Sequence, residues 1–164
     1  MTNLFLKRQM TGGGALFGRN FCVLLILCLV ISLTVNNEAF AGSIIHSNDT
    51  DAGSAINLNS FLDHNQNTLL FIHSPHCGPC RRLEPKIVEL AGKKSDLKVV
   101  DLLLDKPTDS GIGWTSPAAK QFDIHAVPYF MIYSPNGKLL WRGKRARKKV
   151  DSWIDKAGIE TDND

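Results

Sequence analysis

Cys77 and Cys80 stand two residues apart in FIHSPHCGPCRR, residues 71–82. Gly78 and Pro79 lie between them, and His73 and His76 lie just upstream. Three chemistries use such a pair: a thiol–disulfide couple, half of a metal site, or a structural staple. A bridge across so short a loop removes little unfolded-state entropy, so it stabilises weakly as a staple. Zinc sites usually draw two ligand pairs from separate segments, and no second CxxC exists here. Cys77, Cys80, His73 and His76 would also strain to reach tetrahedral geometry from one turn. Two thiols alone could carry Cu(I), as in a copper chaperone.

The elements around the pair favour the redox couple. Thr68 to His73 (TLLFIH) is an apolar, β-prone run that reads as a buried strand. A helix is predicted from Pro79 to about Lys94, with Leu83, Ile87, Val88 and Leu90 on its apolar face and Pro85 inside it. Cys77 therefore sits at a helix N-terminus, where outward N–H groups and the positive dipole end favour a thiolate. Cys80, one turn along, can reach back to it. Cys77 reads as the nucleophile and Cys80 as the resolving thiol that breaks the mixed disulfide.

Further along, Leu97 to Asp105 is a second buried strand, with Val99, Asp101 and Leu103 on one face. A loop to Thr115 follows, and then Ser116-Pro117 opens a helix through Phe122. Tyr129 to Ser134 and Lys138 to Arg142 form a hairpin about Pro135-Asn136-Gly137. A last helix spans about Lys148 to Ala157, with Val150, Trp153, Ile154 and Ala157 inward. A short helix capped by Asn57 or Asn59 is expected within 56–65. The order β-α-β-α-β-β-α is α/β: a mixed sheet with helices on its faces.

The chain has 164 residues, 43% hydrophobic and 21% charged, with a formal net charge of +3. Lys7, Arg8 and Arg19 against Glu38 place most of that excess in residues 1–41. The remainder is nearly neutral and gives no case for nucleic acid. Phe21 to Val35 is an uncharged run behind that basic segment, and Ala39-Phe40-Ala41 is a small-x-small site before Gly42. Residues 1–41 thus read as an export signal, or as a membrane anchor if uncleaved. Residues 42–55 read as a flexible lead-in, 56–158 as the folded domain and 159–164 as a tail. Cleavage would remove Cys22 and Cys28 and leave only Cys77 and Cys80.

On the CGPC tetrapeptide, Pro85, Val127-Pro128 and Asn136-Gly137, the chain resembles the thioredoxin superfamily over about residues 56–158. The resemblance implies a thioredoxin fold and a thiol–disulfide oxidoreductase that reduces disulfides of exported proteins. It implies a cis Val127-Pro128 bond facing the CxxC. His76, Gly78, Pro79, Val127 and Pro128 would then contact the substrate peptide. Implied partners are disulfide-containing or dithiol proteins and a membrane electron donor. Association with the membrane follows only if the N-terminal segment stays attached. No cofactor and no metal ligand are implied. A Gram-negative host would place the domain in the periplasm, or anchored to the outer face of the inner membrane.

Departures from the family pattern matter. His76 replaces a tryptophan before the first cysteine and, if protonated, would stabilise the thiolate and make the couple more oxidising. A solvated turn histidine with little electrostatic effect is the plainer reading. Phe71 replaces a buried acid, and Asp101 replaces its lysine partner. Asp101 could relay the Cys80 proton, or could simply face solvent. A periplasmic thiol oxidase or isomerase and a thiol copper carrier are the alternative functions. A redox-inactive binding module is a third class, against which the intact CGPC argues. The basic run RGKRARKK (142–149) reads as a solvated loop and helix start, or as a contact for an anionic surface. Trp114 is either a substrate contact or a lid over the core.

Overall fold

The computed structural model describes residues 44–160. The expected signal, residues 1–41, and residues 161–164 of the tail lie outside them. Strands β1 (Ile44–His46), β2 (Asn67–His73), β3 (Leu97–Leu103), β4 (Tyr129–Tyr133) and β5 (Leu139–Arg142) form one sheet in the order β1-β3-β2-β4-β5. β3 runs parallel to both β1 and β2, while β4 is antiparallel to β2 and β5. Helices α1 (Gly78–Lys93), α2 (Pro117–Phe122) and α3 (Gly143–Lys156) cover its faces.

β2 and β3 are buried on both sides, which is why they read as continuous apolar runs. On one face Leu69, Phe71, Val99, Phe130 and Ile132 pack against Leu83, Ile87 and Leu90 of α1 and Ala146, Val150 and Ile154 of α3. On the other face Leu70, Ile72, Val100, Leu102 and Met131 pack against Ala118, Ala119 and Phe122 of α2. The layers are helix, sheet, helix, packed through these apolar side chains.

Five expectations need correction. Residues 44–46, assigned to a flexible lead-in, form the edge strand β1, and a 3-10 turn follows at Asp49–Asp51. Ile44 and Ile45 are too few to show a strand period in a polar stretch, and their ladder partners lie in β3. The helix expected in 56–65 is only a 3-10 turn, Leu58–Ser60. Local side-chain bonds compete there: Ser60 Oγ donates to Asn57 O at 2.7 Å, and Asn65 N donates to Asp63 Oδ1 at 2.7 Å. Val88 is 47% exposed, because the buried stripe of α1 runs through Leu83, Ile87, Leu90 and Ala91. The helix α3 begins at Gly143, not 148, so most of the basic run is helical. Its start carried no signal: Arg142 makes no side-chain cap and no acid lies in the first turn. Ile159, assigned to the tail, is buried with Ile154 in the core.

Candidate functional site

Antiparallel pairing brings the C-terminal end of β2 beside the N-terminal end of β4, with Ile72 opposite Tyr129. The turn after β2 and the loop before β4 therefore meet at one end of the sheet. Cys77 is the N-cap of α1, with extended φ −93° and ψ 105°. Pro79 falls in the first turn, where its missing N–H leaves no bond unmade. Cys77 and Cys80 are joined as a disulfide with Cα atoms 5.2 Å apart. Cys80 N–H donates to Cys77 Sγ at 3.2 Å.

Both sulfurs are largely buried. Cys77 is 5% exposed and Cys80 fully buried, while Pro79 is exposed and Gly78 half-buried beside them. The attack path thus leads to Cys77. Val127 O lies 3.8 Å from Cys77 Sγ, and the Val127–Pro128 peptide bond is cis. Val127 and Pro128 are half-buried. Gly78, Pro79, Val127 and Pro128 accordingly rim one sulfur. Pro79, Arg82, Leu83, Lys86 and Arg147 line a shallow cationic cleft next to it.

The turn is held from below. Ser74 Oγ donates to Asp105 Oδ1 at 2.9 Å and accepts from His76 N at 3.1 Å. Ser74 O accepts from Cys77 N at 3.1 Å. Asp105 Oδ2 accepts from Gly113 N at 2.8 Å, tying the long loop to the same support. Sequence reading missed Ser74 and Asp105. A carboxylate at the end of an apolar strand was the one available signal.

His76 is brought to the turn, but its Nε2 contacts Lys106 O at 3.1 Å and Asp105 Oδ1 at 3.7 Å. Trp114 is 43% exposed in the long loop, which does not suit a lid over the core. Asp101 is 4% exposed, so the solvent-facing alternative fails. Its carboxylate meets His46 Nδ1 at 2.8 Å and His73 Nε2 at 2.5 Å. Among the described residues no hydrogen bond links Asp101 to either cysteine. His73 is likewise buried, its ring stacked on Phe71 at 4.5 Å. The hydrogen bond from His46 to Asp101 is the main reason the His46 pKa is raised. His73, His76, Cys77 and Cys80 therefore do not form one ligand set, since each histidine faces a carboxylate.

Comparisons with known proteins bear on the family and the fold. The family model for thioredoxin matches residues 52–156. Thioredoxin H2 of Arabidopsis thaliana is 30% identical over 93 residues, 57% of this chain and 63% of that protein. Thioredoxin H8 of the same plant is 40% identical over 48 residues, 29% of this chain and 32% of that protein. The chain thus spans less than two thirds of the length of these curated relatives. A crystal structure of reduced thioredoxin pre-protein from Schistosoma mansoni shares the fold, with a TM-score of 0.50 and 24% identity over 70% of this chain and 98% of that one.

Proposed function

The chain belongs to the thioredoxin family, and from that premise we propose that it is a protein thiol–disulfide oxidoreductase acting through Cys77 and Cys80. One observation carries the reading: Cys77 caps a helix with the Cys80 N–H aimed at its sulfur, 3.2 Å away. Once the disulfide is reduced, that N–H and the helix dipole stabilise a thiolate on Cys77. The thiolate attacks one sulfur of a substrate disulfide, and the other sulfur leaves as a thiol. Cys80 then attacks Cys77 Sγ, releasing the second substrate thiol and restoring the Cys77–Cys80 disulfide. Two electrons pass from the protein to its substrate.

The substrate is a protein disulfide held along Gly78, Pro79, Val127 and Pro128. An extended peptide there would meet the backbone beside the reacting sulfur, the usual mode of strand addition. His76 borders the same strip. No step is assigned to Asp101, whose carboxylate is engaged by His46 and His73. The Gly-Pro dipeptide between the cysteines supports the reducing direction. Export is supported by residues 1–41 alone, and the electron donor is then a membrane dithiol protein.

The reduction potential of the Cys77–Cys80 couple tests the direction. A value near about −270 mV makes the protein a reductase, and one near about −120 mV an oxidase. Cys80→Ser should trap substrates as mixed disulfides on Cys77, and Cys77→Ser should trap none. Failure to reduce a protein disulfide with a chemical dithiol as donor overturns the assignment. N-terminal sequencing of the exported form should begin at Gly42 if the signal is cleaved.

A further inference from the structure

β5 and the first half of α3 share an exposed face that the redox chemistry does not use. Leu139, Leu140 and Trp141 follow one another on β5, each 37–38% exposed. Of the five large apolar side chains exposed among the described residues, three are these. Single exposed apolar residues are ordinary, but a contiguous patch marks a contact surface. β5 is only four residues long, and its ladder to β4 is irregular between Ile132 and Tyr133. Such an edge suits an added strand poorly, so the contact is made through side chains.

The charge around the patch has one sign. Residues 142–149 hold Arg142, Lys144, Arg145, Arg147, Lys148 and Lys149 and no acid. Leu139, Leu140 and Trp141 line one shallow recess with Lys144 and Arg145. Trp141 lines a second with Arg145, Lys148 and Lys149. Arg142 is held by Tyr129, and Lys149 lies 5.6 Å from the Trp141 ring. Lys144, Arg145 and Lys148 are exposed. Asp151, the first acid of α3, is engaged by Arg147 at 2.7 Å and so does not offset them.

We propose that this face docks on an anionic membrane surface. Leu139, Leu140 and Trp141 enter the headgroup layer, and Lys144, Arg145 and Lys148 meet the lipid phosphates. Trp and Leu beside Lys and Arg is the composition of an interfacial contact, with the aromatic ring at headgroup level. Long cations fixed to no acceptor suit a mobile sheet of headgroups better than a rigid partner. Each one near such a surface strengthens binding about fivefold. The uncharged run Phe21 to Val35 of the same chain would bring the domain alongside a bilayer. An acidic protein is the competing occupant. The contact uses neither cysteine, so it and the redox reading can fail separately.

The test is quenching of Trp141 emission in the full-length protein by vesicles with brominated acyl chains. Phosphatidylcholine containing phosphatidylglycerol is compared with phosphatidylcholine alone. Trp141→Phe serves as the blank for Trp114 and Trp153. This patch-specific signal is separate from any insertion of the N-terminal segment. Quenching is expected with the anionic vesicles only. It should be lost in the triple variant Lys144→Gln, Arg145→Gln, Lys148→Gln, whose missing charges together amount to about a hundredfold. The variant's Tm should match the wild type's, since all three positions are exposed. Quenching of the wild type should also be lost at about 1 M salt, where the screening length is about 3 Å, and that arm needs no substitution. Absence of quenching by anionic vesicles overturns the proposal, as does equal quenching by neutral ones. Quenching that survives the substitutions or the salt overturns it too. So does polyglutamate shifting the Trp141 emission where anionic vesicles leave it unquenched, which makes the occupant an acidic protein.

Discussion

Ser74 has no redox chemistry, yet its hydroxyl and carbonyl fix the turn that presents Cys77. Its hydroxyl is fully buried between Asp105 and the His76 N–H. Ser74→Ala leaves that N–H without its acceptor and Asp105 Oδ1 without its donor. The loss should be about 1–3 kcal/mol, read as a lower urea midpoint. Disulfide exchange should slow as the turn loosens, which stopped-flow assay against a small disulfide measures. Gly113 is the other sensitive position on this support. A side-chain carbon there would sit 2.2 Å from Leu104 O, a backbone atom that cannot swing away. Gly113→Ala should cost about 1–3 kcal/mol by overpacking, seen in the same denaturation experiment.

At the scale of elements, helical periodicity separates two neighbours on α1. Ile87 is fully buried and Val88 is 47% exposed. Ile87→Ala should lose about 2–5 kcal/mol. Val88→Ala should stay within about 0.5 kcal/mol, and chemical denaturation of the pair checks both. β2, α1, β3, α2 and the hairpin were legible because each announces itself locally. β2 and β3 are long apolar runs, α2 has its Ser116 cap followed by proline, and the hairpin has Asn136-Gly137. Cys77 and Cys80 were legible for the same reason, as a spacing at a strand-to-helix turn. The rest depends on partners far away. β1 exists because β3 offers it a ladder, α3 starts where Ala146 meets the core, and Asp101 is buried because His46 and His73 come to it from other strands. No window of sequence holds those contacts.

On the scale of the whole molecule, the sheet keeps its long strands inside and its short ones at the rims. β1 has three residues and β5 four, and β5 is exposed along its length. Lys149 stands 5.6 Å from the Trp141 ring on that rim, a cation beside an otherwise open edge. Short, charged edges discourage pairing with other chains. The β1 rim is fastened by Asn48, a buried side chain that imitates a strand residue. Its Nδ2 donates to Leu103 O at 2.9 Å, and its Oδ1 accepts from Leu103 N at 3.0 Å. Asn48→Ala should remove about 1–3 kcal/mol by leaving the Leu103 N–H without its acceptor, while Leu103 O keeps the Gly53 N–H. Hydrogen exchange at the Leu103 amide should quicken, while the Cys77–Cys80 potential should not move.

The position of β1 also sets a schedule. Ile44 to His46 leave the ribosome first, but their ladder partners are Val99 to Asp101. At roughly 5–20 residues per second, the first strand waits several seconds for a surface to join. β2 waits for the same residues, since Leu69 to Phe71 also pair with Val99 to Asp101. β3 is therefore the strand on which both of its neighbours depend. A newly made chain spends its early life with β1 free for whatever machinery handles its N-terminus.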